Sequence, residues 1–130
     1  MHLTRWTVSV RYHLYLAKKT LTELLENLVD AGFSLRSLPA YPRHLAAEKY
    51  NFVALLEWAK DNRWRQFSSA GMLIDGQIAL LVERDGRSSF VCKSKQVSAD
   101  DAMMGQYHQF QHELDNVLVT QSNPISAKIG

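Results

Sequence analysis

The stretch Ile74-Asp75-Gly76-Gln77-Ile78-Ala79-Leu80-Leu81-Val82-Glu83-Arg84-Asp85-Gly86-Arg87 decides the centre of this chain, because two Asp-Gly pairs bracket one apolar run. Asp-Gly supplies the positive φ angles that a two-residue type I′ turn demands, so each pair reads as a hairpin connection and the whole as a three-stranded meander. With both turns at two residues, Arg84 faces Arg87, Val82 faces Ser89 and Leu80 faces Val91. Leu81 then meets Phe90, and Ala79 meets Cys92, on the opposite side of the ribbon. Both faces of the middle strand are apolar, which places it inside a sheet, with helices over one face and an unspecified cover over the other.

Working outward, Trp6, Val8, Val10, Tyr12 and Leu14 alternate with Arg5, Thr7, Ser9, Arg11 and His13, the period-two pattern of a half-buried strand. Thr20 and Glu23 have capping-box spacing, so a helix is expected from about Leu21, with Leu21, Leu24, Leu25 and Leu28 inward and Gly32 as its C-terminal cap. Phe33 to Leu38 is a strand candidate, ended by Pro39 and Pro42. A second helix is expected from about Arg43 to Asn62, with Leu45, Phe52, Leu56 and Ala59 on its core side, followed by a flexible approach over Ser68 to Gly71. Ser98 and Asp101 form a weaker capping pair before a third helix with the stripe Met103, Tyr107, Phe110, Leu114 and Val117, and Gly105 weakens its first turns.

These elements predict an α+β fold in two layers: a mixed or antiparallel sheet of about five strands that includes the three-stranded meander, with about three helices mostly on one face. Residues 1–120 read as a single domain and 121–130 as an irregular tail. At 130 residues the chain can bury a core without disulfides, and its lone cysteine, Cys92, has no internal partner. No stretch approaches the roughly 20 apolar residues of a membrane span, and the first residues lack a secretory signal, so the expectation is a cytoplasmic chain with no membrane role. The formal charge of +2 is too small to mark a nucleic-acid binder by itself.

Three groups of residues invite functional readings. On the expected second helix Ala47, Tyr50, Ala54 and Trp58 form a second apolar seam opposite Phe52, which Trp64 could extend. Alanines flanked by aromatics suit a protein interface, so Tyr50, Ala54, Trp58 and Trp64 are the expected partner-binding residues, toward another protein or a second copy. Arg5, Arg11, Arg63, Trp64 and Arg65 mix cations with an aromatic ring, the chemistry by which single-stranded nucleic acid is held through phosphates and stacked bases. His108, His112 and Asp115 share one helical face, as ligands of a divalent ion would, although no fourth ligand accompanies them.

No phosphate loop, nucleophile elbow or zinc-peptidase pattern is present, and Cys92 on a strand interior reads as a small hydrophobe. The adjacent acids Asp100 and Asp101 are explained by the positive end of the helix they precede. No cofactor is implied. The expected function is therefore a small non-catalytic interaction or accessory module. Single-stranded nucleic-acid binding and a metal-dependent activity are the alternatives.

Overall fold

The chain begins with a helix, α1 (His2–Asp30), and ends with another, α2 (Asp101–Val119). Between them lie seven strands: β1 (Ser34–Arg36), β2 (Leu45–Lys49), β3 (Phe52–Trp58), β4 (Trp64–Ile74), β5 (Gln77–Arg84), β6 (Arg87–Cys92) and β7 (Lys95–Ala99). This computed structural model describes residues 2–93 and 95–121, with side chains omitted for positions 2–14 and 16. Every strand pairs antiparallel with its sequence neighbour, giving one sheet in the order β1 to β7, curled into a half-barrel around the helices. The class is α+β as expected, but the five strands and three helices of the sequence reading are corrected to seven strands and two helices.

The strand expected over Trp6–Leu14 is the first half of α1. A helical stripe runs through the same residues, since Leu3, Val10, Leu14, Ala17, Leu21, Leu24 and Leu28 keep three-to-four or seven-residue spacing, and this longer pattern prevails over the local alternation. Thr20 accordingly lies within the helix, buried, rather than capping it. The C-terminal cap stands where expected. Gly32 adopts φ +90°, its N–H donates to Val29 at 3.0 Å, and Phe33 N–H donates to Leu28 at 2.9 Å, the paired bonds of a Schellman motif.

The helix expected over Arg43–Asn62 is the β2–β3 hairpin and the loop after it. Its turn is Tyr50-Asn51, both at positive φ (57° and 71°), so a type I′ geometry is made without glycine. Phe52, Val53, Ala54, Leu55 and Leu56 are all buried, as suits a central strand covered on both faces. Ser68 to Gly71 belongs to β4, where the register slips against β3 and Ser68 takes φ 65° in the bulge. Both Asp-Gly turns form, with positive φ at all four residues, and Arg84↔Arg87, Val82↔Ser89, Leu81↔Phe90 and Leu80↔Val91 pair in the expected register.

On the inner face Leu24 and Leu28 of α1 and Phe110, Leu114 and Val117 of α2 pack over Ala47, Phe52, Leu56, Ala70, Ala79 and Phe90. The expected stripe of the last helix is therefore its core face, with Met103 and Tyr107 half-buried at its near end. That helix is capped by Asp100, whose carboxylate accepts the Met103 N–H at 2.8 Å, and not by Ser98, which is still in β7. A smaller cluster forms on the outer face, where residues 37–44 fold back so that Leu38 and Tyr41 pack on Ala46, Val53 and Leu55. Beyond its rim at Leu73 and Ile78 the outer-face residues Leu80, Val82 and Val91 are exposed.

Candidate functional site

The site begins with the pleat of β5 and β6. Ala79 and Leu81 turn inward with Phe90, which by alternation sends Leu80, Val82 and Val91 to the outer face. Among the described residues the helices pack on the inner face and residues 37–44 pack as far as Leu73 and Ile78. Leu80 therefore remains 47% exposed, Val82 41% and Val91 36%. Register places Val53, Gly71, Leu80, Val91 and Gln96 in one cross-strand row on five adjacent strands, so the row passes from buried to open. Gly71 is needed within it: a Cβ there would lie 2.5 Å from the Ala79 carbonyl oxygen and 2.6 Å from Ile78 Cγ2.

The rim of this patch is polar and charged. Arg84 and Arg87 face each other across the Asp85-Gly86 turn, exposed and, among the described residues, without an ion-pair partner. A shallow groove of about 1140 Å³ runs past them, lined also by Val82, Ser89, Val91 and Ser98 and by the carboxylates Asp85, Asp100 and Asp101. At the other end of the hairpin Lys95 pairs with Asp75, whose hydrogen bond and charge hold the ammonium above its ordinary value. Farther along the outer face Phe67, 40% exposed, stacks on His44 with ring centres 4.6 Å apart, and His44 Nε2 lies 3.6 Å from Glu57. Apolar strand residues with exposed guanidinium and carboxylate groups at their rim form a surface that can bind.

The residues singled out from the sequence are distributed differently. Tyr50, Ala54 and Trp58 do not share a helix face. Ala54 is buried in the inner core, Tyr50 occupies the β2–β3 turn with its hydroxyl donating to Glu113 at 3.3 Å, and Trp58 closes β3. Trp58 and Trp64 do meet, edge to face at 5.8 Å, where β3 leads into β4. Gln121 holds that corner, accepting the Trp64 N–H at 2.8 Å and donating to its carbonyl at 2.6 Å. The Trp64 indole nitrogen is buried and has no hydrogen-bond partner among the described residues.

Of the cationic set, Arg5 and Arg11 lie on α1, where the description covers the backbone alone, while Arg63 and Arg65 flank Trp64. Arg65 is engaged by Asp61 at 2.9 Å. His108, His112 and Asp115 are exposed on α2, where Asp115 accepts from Gln111 at 2.9 Å. Among the described residues no group of three or more His, Cys, Asp or Glu is placed to hold a metal ion. Cys92 is half-buried against the inner core.

A polar junction ties these layers together. The Lys49 ammonium donates to the Ala31 carbonyl at 2.6 Å, at the end of α1, and lies 3.1 Å from Glu113 on α2. Burial works against the charge on Lys49, but the hydrogen bond and charge of Glu113 outweigh it and raise its pKa. Burial likewise opposes ionisation of Glu113, yet bonds from Lys49 and Tyr50 leave its pKa lowered.

Comparison with known protein families, with curated proteins and with solved structures finds no match to this chain. The outer-face residues Leu80, Val82 and Val91 were missed as a site although the sequence carried their signal, the apolar residues on both faces of the middle strand. No helix among the described residues is long and apolar enough to cross a membrane.

Proposed function

We propose that this chain is a small non-catalytic interaction module that binds a protein partner, or a second copy of itself, through the outer face of β4, β5 and β6. The observation that carries the reading is the cross-strand pair Leu80 and Val91, which with Val82 stands exposed on a sheet whose other face packs against the helices. Clustered apolar side chains rimmed by polar groups are the usual mark of an association surface, whereas singly exposed ones are not. Arg84 and Arg87 together with Asp85, Asp100 and Asp101 beside the patch favour a partner that brings charges of both signs to its edge.

Replacing Leu80 and Val91 by lysine tests this without touching the inner core. The wild-type chain is expected to gain mass with concentration in sedimentation equilibrium, or to retain a partner on affinity capture, and the double variant to lose either behaviour with unchanged circular dichroism. Equal behaviour of the two proteins would overturn the proposal.

A further inference from the structure

The two edges of the sheet are closed differently. β1 is three residues long, and residues 37–44 after it fold back over the outer face. β7 is longer, pairs in unbroken register with β6, and carries no proline and no charge between Lys95 and Asp100. Proline, bulges and mid-strand charges are the devices that keep a strand edge from adding another strand, and β7 has none of them.

Antiparallel pairing alternates between residues that exchange bonds with the neighbouring strand and residues whose N–H and C=O point away from it. Cys92 and Lys95 close the β6–β7 turn, so Lys95, Val97 and Ala99 bond to β6, and Gln96 and Ser98 direct their backbone groups to the free side. Both are exposed, and among the described residues these N–H and C=O groups have no partner. The Gln96 side chain turns back to Ser89 Oγ at 3.1 Å and leaves that side clear. Val97 between them is half-buried against the inner core.

Charge reverses from one end of this strand to the other. Lys93 and Lys95 stand at its start and Asp100 and Asp101 just past its end, all exposed. Lys95 is engaged by Asp75, and the Asp100 carboxylate accepts the Met103 N–H. Lys93 and Asp101 have no ion-pair partner among the described residues. Arg84, Asp85 and Arg87 share a groove with Asp100 and Asp101, but they stand on β5, β6 and the turn between them, behind β7 as seen from the edge.

We propose that β7 pairs antiparallel with β7 of a second copy about a two-fold axis at Val97, joining the two sheets into one. In this register Gln96 and Ser98 of the second copy exchange N–H···O=C bonds, and the axis repeats the exchange on its other side. The two Val97 side chains meet on the inner face. Lys93 and Asp101, each four residues from the axis, are brought to opposite ends of the joint, each facing its counterpart in the other copy. A second copy fits better than an unrelated extended segment because this one strand complements itself in backbone bonding, in apolar contact and in charge. The contact is separate from the outer face of β4, β5 and β6.

Sedimentation equilibrium and cross-linking of the full chain test this. At the dilute limit the mass is expected to be that of two chains. Mass growing beyond two chains with concentration reports the outer face, so failure of one proposal is distinguishable from failure of the other. Ser98→Pro removes an N–H that makes no bond to β6, and is expected to give the mass of one chain with unchanged circular dichroism. Lys93→Glu is expected to weaken the pair about 10-fold, and adding Asp101→Lys to restore it. Facing residues of a non-hydrogen-bonded pair lie about 4.5 Å apart at Cα, within reach of a disulfide. In a Cys92→Ser background, Val97→Cys is therefore expected to link two chains under oxidised glutathione, and Ser98→Cys, which faces Gln96, is not. A one-chain mass for the wild type would overturn the proposal. So would a two-chain mass for a folded Ser98→Pro variant, or linkage through position 98 and not 97.

Discussion

Replacing Lys49 by methionine should expose how the two helices are locked to the β2–β3 hairpin. The substitution keeps most of the stem and deletes the ammonium, which reaches the Ala31 carbonyl at 2.6 Å and Glu113 at 3.1 Å and lies 5.4 Å and 5.0 Å from the ring centres of Phe33 and Tyr50. A hydrogen bond from a charged donor contributes about 1.5–3 kcal/mol, and a half-buried cation over a ring adds about 0.5–1 kcal/mol. With the Lys49 side chain only 17% exposed, solvent screening is limited, and a loss of about 3 kcal/mol is expected, or about 10 °C in Tm.

The pH dependence follows from the directions of the two shifts. Glu113 is lowered from 4.5, so its contribution is intact above that value and lost as pH falls through the folded pKa. Lys49 is raised from 10.5, so its contribution is intact below that value and lost as pH rises through the folded pKa. The stability difference between wild type and variant should therefore be flat across neutral pH and shrink at both extremes. Urea unfolding followed by circular dichroism at pH 3, 7 and 11 measures it. A difference below about 0.5 kcal/mol at pH 7, or one that fails to narrow at pH 3, would refute the reasoning, since losing a half-buried ion pair must cost more than a surface one.

Phe110→Ala should be the most damaging single truncation, costing about 3–5 kcal/mol in urea unfolding, because the ring is fully buried between Phe33 at 5.6 Å and Phe52 at 6.1 Å. Asp100→Ala should cost about 1 kcal/mol in the same assay, by freeing the Met103 N–H at the start of α2. Gly71→Ala should cost about 1–3 kcal/mol, because its Cβ meets backbone and β4 must separate from β5; an unchanged midpoint would show that the strands yield freely.

The legible parts of the fold were those whose backbone demands are met by residues specialised for them. Asp75-Gly76 and Asp85-Gly86 announced their turns and register, and Gly32 announced the end of α1, because glycine or aspartate at positive φ is its own signal. Tyr50-Asn51 makes the same kind of turn with a tyrosine at φ 57°, held by its hydroxyl bond to Glu113, a contact from a residue 63 positions away that no local pattern reveals. Without that turn, β2 and β3 read as one helix, and the continuous burial of Phe52 to Leu56 was divided between two imagined helical seams. Trp6 to Leu14 satisfied both periods, and only the stripe extending to Leu28 separates them. Of the expected partner residues, Trp58 and Trp64 do lie together, whereas Ala54 belongs to the core.

The outer face of the sheet is the centre of the account, and a photoreactive amino acid placed singly at position 80, 91 or 112 tests it most directly. Positions 80 and 91 lie on the open strands and 112 on the exposed side of α2, so all three are accessible to solvent. The account predicts discrete protein adducts, to a partner or a second copy, from positions 80 and 91 and none from 112. Adducts from 112 alone, or no adduct from 80 and 91 where the wild-type chain associates, would contradict it.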